Sequence, residues 1–212
     1  MIQFTAMPPA IENLPRDERG YPVPWFVAWL ANGQPEFRCM DRKKLVRAVK
    51  ERRCWVCGER LDLKQHVFVI GPMCSINKTS AEPPCHEACA EFSARNCPFL
   101  TKPAAVRREA NLPPDAQDGA GMPILRNPGV TCLWFCQGYQ IRRLEEGFLF
   151  ALPNPSRVKW FREGRQATRA EILESINTGL PLLRNVADQE GPDARRALDQ
   201  MTDRALKFVP AT

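Results

Sequence analysis

The residues able to do chemistry crowd between positions 54 and 97. Six of the nine cysteines and both histidines of the 212-residue chain lie there. Cys54-Trp-Val-Cys57-Gly58 is followed about 30 residues later by His86-Glu-Ala-Cys89, the spacing of a four-ligand zinc site. Two thiolates two residues apart on a tight turn can face one metal, and Gly58 supplies the positive φ that such a knuckle needs. Pro83 and Pro84 suit the first turn of a helix, on which His86 and Cys89 share a face. A helix N-terminus also favours thiolate, the form that binds metal. One structural zinc ion held by Cys54, Cys57, His86 and Cys89 is the first choice. Cys85 is the alternative to His86, since Cys85 and Cys89 at i, i+4 also share a face. Buried free thiols are the bland alternative. An iron–sulfur cluster drawing on Cys54, Cys57, Cys74, Cys85, Cys89 and Cys97 competes, but the compact ferredoxin spacings are missing.

A cysteine knuckle, an apolar stretch at Val67-Phe-Val-Ile70 and a helix opening with ligands together resemble the treble-clef zinc finger superfamily. The resemblance covers roughly a fifth of the chain and implies a metal site and a local fold, not an activity. Nucleases of the His-Asn-His type are built on that fold, so a metal-dependent hydrolase using His66 or Asn77 is one alternative. His66 before Val-Phe-Val lacks the paired His/Asp such enzymes present. No His-x-Glu stands upstream of Pro84-Cys85, which excludes a zinc deaminase. Walker, Gly-x-Gly-x2-Gly and Gly-x-Ser-x-Gly motifs are missing. No catalytic residue is assigned, and the chain leans away from enzymes. Over its whole length it resembles a family of bacterial and phage proteins, through Pro24-Trp-Phe-Val-Ala-Trp29, Arg53-Cys-Trp-Val-Cys-Gly58, Cys97-Pro-Phe-Leu100 and Gly164-Arg-Gln-Ala-Thr-Arg-Ala-Glu171. That resemblance carries no function across.

Net charge is +6. Residues 38–53 hold eight basic and two acidic residues, and the remaining 22 of each sign cancel. The whole excess therefore runs straight into the knuckle. Arg42, Lys43, Lys44, Arg47, Lys50, Arg52 and Arg53 are the candidate nucleic-acid contacts, a phosphate-binding ridge beside the zinc module. The ordinary fate of such a run is a solvated helix face. A protein–protein adaptor is the alternative, suggested by Pro-rich segments and an amphipathic C-terminal helix.

The elements that must position these residues read as an α+β fold. An extended arm is expected over 1–23, and a hairpin, basic helix and zinc-binding module over 24–100. A Pro-rich loop or linker follows over 101–127, then an α+β C-terminal part over 128–212. Trp25 to Leu30 and Glu36 to Cys39 flank Asn32-Gly33 as a hairpin, with Trp25, Val27 and Trp29 on a core-packed face rather than a base-stacking one. Asp41 can cap a helix over 41–52. A helix is expected over 85–96 and a loop over 75–84. A second hairpin is expected to pair Val130–Cys136 with Phe148–Phe150. A short helix should start at Asn154-Pro155, and a helix from a Thr168/Glu171 capping box should end at Gly179. A last amphipathic helix follows Pro192. No apolar run approaches 18 residues, and the N-terminus does not read as a secretory signal. Reduced cysteines, a cytoplasmic location and no membrane partner are expected.

Overall fold

Thr131-Cys-Leu-Trp-Phe-Cys136 is buried at all six positions. A strand can be buried throughout only when both of its faces are covered, and the fold is arranged around that demand. The computed structural model describes residues 3–113, 119–121, 126–145 and 147–211. In chain order the elements are α1 (Pro9–Glu12), β1 (Val27–Trp29), β2 (Pro35–Met40), α2 (Arg42–Glu51), β3 (His66–Ile70), α3 (Pro72–Asn77), β4 (Thr79–Ser80), α4 (Glu87–Asn96), β5 (Thr131–Cys136), β6 (Gln140–Leu144), β7 (Gly147–Ala151), β8 (Arg157–Arg162), β9 (Arg165–Gln166), α5 (Arg169–Glu190) and α6 (Pro192–Leu206). The architecture is α+β, as expected.

The central sheet is antiparallel, in the order β3-β5-β8-β9. Because side chains alternate along a strand, β5 serves two cores. Leu133 and Phe135 join Val67 and Phe161 in one core with Leu45 and Ala48 of α2, the knuckle Cys54–Cys57, and Cys89, Ala90 and Phe92 of α4. Cys132, Trp134 and Cys136 join Phe68, Ile70 and Trp160 in the other, against α3, α5 and α6. Two smaller sheets, β1-β2 and β4-β7-β6, complete the strands.

Several expectations held. The 24–39 hairpin is the β1-β2 pair. Asp41 caps α2, accepting from the backbone N–H of Lys43 and Lys44. Thr168 and Glu171 form a reciprocal capping box. Others need correction. Thr131–Cys136 does not pair with Phe148–Phe150; the hairpin partner of β7 is β6, because the all-apolar strand is claimed by the sheet centre. Residues 157–162 are a strand, not a helix, pairing with β5 from Thr131↔Phe161 to Phe135↔Arg157. Val158 and Trp160 two apart had signalled that period. The helix expected to stop at Gly179 runs on through Pro181 to Glu190. Gly179 lies where α5 packs on Met73, and a Cβ there would stand 2.8 Å from the Met73 Cε. The 75–84 loop contains the end of α3 and β4.

Trp29 is also a correction: it is exposed while Val27 is buried. An irregularity between Val27 and Ala28 breaks the alternation that would have placed both on one face. In the stretch expected as an arm, Ile11 and Val23 are buried, and the Thr5 N–H donates to Asn96 Oδ1 at 2.9 Å. Much of the Pro-rich 101–127 stretch lies outside the described residues, at 114–118 and 122–125.

Candidate metal centre

Backbone pairing shapes the first half of the site. Cys54 N–H donates to Glu59 O at 2.7 Å and Leu61 N–H to Arg52 O at 2.8 Å. This narrow ribbon closes through Gly58 N–H on Cys54 O at 2.9 Å. Gly58 has φ +78°, and a Cβ added to it would stand 2.5 Å from Trp25 Cγ. Both the backbone and the close approach therefore require glycine. The Trp25 N–H donates to Val56 O at 2.7 Å. Phe26 stacks on Trp55 with centroids 5.0 Å apart. The segment entering β1 thus braces the knuckle from outside.

The second half is delivered by α4. Cys85 pairs with Val67 through two backbone bonds, of 2.7 and 3.3 Å. That pairing hands the chain to His86, the N-cap of α4. Cys89 follows in the first turn, where hydrogen bonds with Cys54 and Cys57, and then burial, raise its thiol. Trp55 N–H donates to Pro84 O at 3.1 Å and ties the halves together.

Donor atoms of Cys54, Cys57, His86 and Cys89 lie within 4.8 Å of one another, and this group could hold a metal ion. His86 Nδ1 faces Cys57 Sγ at 3.4 Å and Cys89 Sγ at 3.9 Å. Its Nε2 lies 3.0 Å from Arg60 O. A carbonyl only accepts, so Nε2 carries hydrogen and Nδ1 is the atom turned toward the sulfurs. The His86 backbone N–H donates to Cys54 Sγ at 3.4 Å. Burial opposes ionisation of Cys54, but hydrogen bonds from Cys57, Cys85, Cys89 and His86 hold it far below the ordinary thiol range. Bonds with Cys54 and Cys57 push the His86 imidazole up to about 11. The two shifts together favour an ionised sulfur beside a charged imidazole at the centre.

Cys85 is not in the four-donor group. Its sulfur touches Cys54 and is met by the Val56 backbone, and contact with Cys54 together with burial raises its thiol. Burial pushes Cys74 up to about 11, mainly by desolvation, and Cys136 likewise. It raises Cys97 and Cys132 as well. These four are packing thiols, not nucleophiles.

His66 is buried, stacks edge-on against Tyr139 at 5.0 Å and is held below its ordinary value chiefly by burial. Its Nδ1 has no hydrogen-bond partner among the described residues. Asn77 uses its Oδ1 to accept from Thr79, at 3.1 Å from N and 2.6 Å from Oγ1. It is a turn cap.

The seven basic residues divide into two sets. Lys44 Nζ donates to Val27 O at 3.0 Å. Arg53 binds Glu51 at 2.5 Å and Gly58 O at 2.8 Å. Both spend their charge inside the fold. Arg52 ends α2 in the left-handed region, at φ 53°. Arg47 pairs with Glu51 at 3.1 Å and lies over Trp25. Arg42, Lys43, Arg47, Lys50 and Arg52 are exposed. Sequence reasoning missed the Arg60 carbonyl beside His86 and the placing of Arg143 with Arg42. Arg60 acts through its carbonyl, which leaves no side-chain signal. Arg143 of β6 lines the same cleft as Arg42 of α2, an arrangement only the fold creates. Comparison with protein-family models, curated proteins and solved structures finds no match to this chain.

Proposed function

We propose that this chain is a non-enzymatic, zinc-stabilised protein that binds nucleic acid through the exposed side of α2. One observation carries the reading: the segment whose charge equals the whole net excess of the chain caps onto β2 at one end and runs into a four-donor Cys/His group at the other. Three thiolates and one imidazole would fill a tetrahedral shell, with the His86 ring already oriented by Arg60 O. Such a closed shell gives folding energy and leaves no position for a substrate, which argues against the hydrolase alternative. The knuckle followed by a helix that opens with ligands is treble-clef-like. Here the ribbon between them is reduced to the Val67↔Cys85 bridge, while the rest of β3 pairs with β5.

The test has two parts. Elemental analysis of purified protein should return one zinc per chain. Titration with a labelled 20-mer at 50 and 200 mM salt should show affinity falling on the order of tenfold or more at the higher salt. Lys43→Ala with Lys50→Ala should weaken it while metal content stays at one. Absence of metal removes the scaffold, and binding untouched by the two substitutions removes the partner.

A further inference from the structure

His66 opens β3 and pairs with Cys136, the last residue of β5. It is only 6% exposed, and its Nδ1 is buried with no hydrogen-bond partner among the described residues. Its cover is aromatic. Tyr139 meets the His66 ring edge-on at 5.0 Å, Phe68 at 5.2 Å and Phe150 of β7 at 5.6 Å. His66 and Phe68, two apart on β3, share a face, so the one tyrosine ring spans both. Tyr139 itself ends a three-residue link, Gln137-Gly138-Tyr139, between β5 and β6, and Gln137 and Gly138 are exposed. The backbones of β3 and β5 are locked together along the whole of β3. The link is the part of the cover that moves at least cost.

We propose that His66 and Tyr139 form an acid-sensitive latch: while His66 is neutral, Tyr139 lies closed over β3, and protonation of His66 swings Tyr139 and its link out into water. The reason is the cost of a buried cation. On protonation Nδ1 becomes a donor, and it has no partner to donate to among the described residues. The charged and titratable neighbours come from each element around it. Arg52, at the C-cap of α2, adds a like charge to the site, and Asp62, in the loop before β3, opposes it. Cys136 of β5 lies near both rings. Burial is the chief cause holding His66 below its ordinary value, and Arg52 adds to it; the backbones of Gln137 and Cys136 and the Asp62 carboxylate favour the charged form and are outweighed. Burial raises the Tyr139 hydroxyl, so the tyrosine stays neutral throughout the acid range. A base whose folded value lies below its unfolded one, near 6.5, stabilises the closed form above that pH. The contribution is lost as pH falls through the folded value.

Two tyrosines and two histidines supply probe and control. Tyr21 lies against Phe4 at 5.6 Å, and Phe4 against Phe92 of α4 at 5.8 Å. Tyr21 therefore reports acid loosening of the knuckle core, and Tyr139 reports the latch. The full chain, labelled with fluorotyrosine, is followed by fluorine NMR from about pH 8 to about pH 4.5 while the histidine ring signals are titrated. The Tyr139 signal should move toward that of the free amino acid with the midpoint of His66, below 6.5, while Tyr21 stays in place. His66→Gln should abolish the acid response of Tyr139. Arg52→Gln removes only the like charge and should raise the midpoints of His66 and Tyr139 together, which keeps the test open if His66→Gln does not fold. An acid response of Tyr139 that survives His66→Gln overturns the latch. So does a Tyr139 signal that stays still while His66 titrates, a Tyr21 signal that moves at the same midpoint, or a His66 midpoint at or above 6.5.

Discussion

His86 and Cys85 are neighbours with opposite fates, and the difference lies in what their other atoms do. The backbone of Cys85 is committed to Val67 on both sides, and its thiol leans on Cys54 from outside the donor group. His86 turns Nδ1 inward because Nε2 is engaged by Arg60 O. Substitution should separate the roles. On the zinc reading proposed above, Cys89→Ser should drop the metal content from one per chain toward zero, since the first turn of α4 has no other thiol to offer. Cys85→Ser should retain the metal and lower stability by about 1–2 kcal/mol, because a hydroxyl is desolvated in a site shaped for sulfur. Metal content by mass spectrometry of the intact protein, beside a denaturant midpoint, reads both. A Cys85→Ser protein that emptied of metal would reverse the assignment of the fourth ligand.

Local grammar was legible wherever a residue acts on its own neighbours. Thr168 and Glu171 show this most sharply. Glu171 is bound by Arg165 at 2.5 Å and accepts from the Thr168 backbone, and these bonds, the Arg165 one first, bring its carboxyl down to about 2. A carboxyl lowered on folding stabilises above its unfolded value, near 4.5, and loses that contribution as pH falls through the folded one. Glu171→Gln should therefore lower the thermal midpoint at pH 7 by about 3 °C, roughly 1 kcal/mol for a chain this long. The gap should close as pH drops from about 4.5 toward 2. A gap constant with pH would assign the effect to packing instead. Elements set by distant partners were not legible in the same way. Gly179 and Pro181 look like helix breakers, yet α5 continues because Gly179 lets it approach Met73. Residues 157–162 were misread because Asn154-Pro155 resembles a helix start. Their alternation only gains meaning once β5 lies beside them. Trp29 escaped because no residue type announces the irregularity after Val27. The four donors were legible because thiol and imidazole spacing is itself local.

At the scale of the molecule, the central sheet divides the protein into two cores with different sources of stability. On one side α3, α5 and α6 cover Phe68, Trp134 and Trp160 with ordinary apolar side chains. On the other, the core includes Cys54, Cys57, Cys85 and Cys89 themselves, and α4 meets the knuckle both in that core and at the donor group. Ionic contacts help: Lys159 of β8 reaches Glu87 at 2.8 Å and also meets Glu91 on α4. Half-exposed pairs of this kind each contribute at most about 1 kcal/mol. Structural zinc contributes on the order of 10 kcal/mol in finger peptides, so on the zinc reading proposed above its removal should be felt unevenly. Chelation should speed hydrogen exchange at 54–61 and 86–92 by about 100-fold, some 2.7 kcal/mol of lost protection. Amides of α5 between Ile172 and Ala187 should stay slow, because their core contains no donor. Those of β5 should stay slow too, since they are bonded to both β3 and β8 whichever face is uncovered. Exchange that rises together over the whole chain would mean the two cores fold as one unit. Exchange that does not rise at 54–61 would mean the knuckle is held by Trp25, Phe26 and Trp55 without any metal.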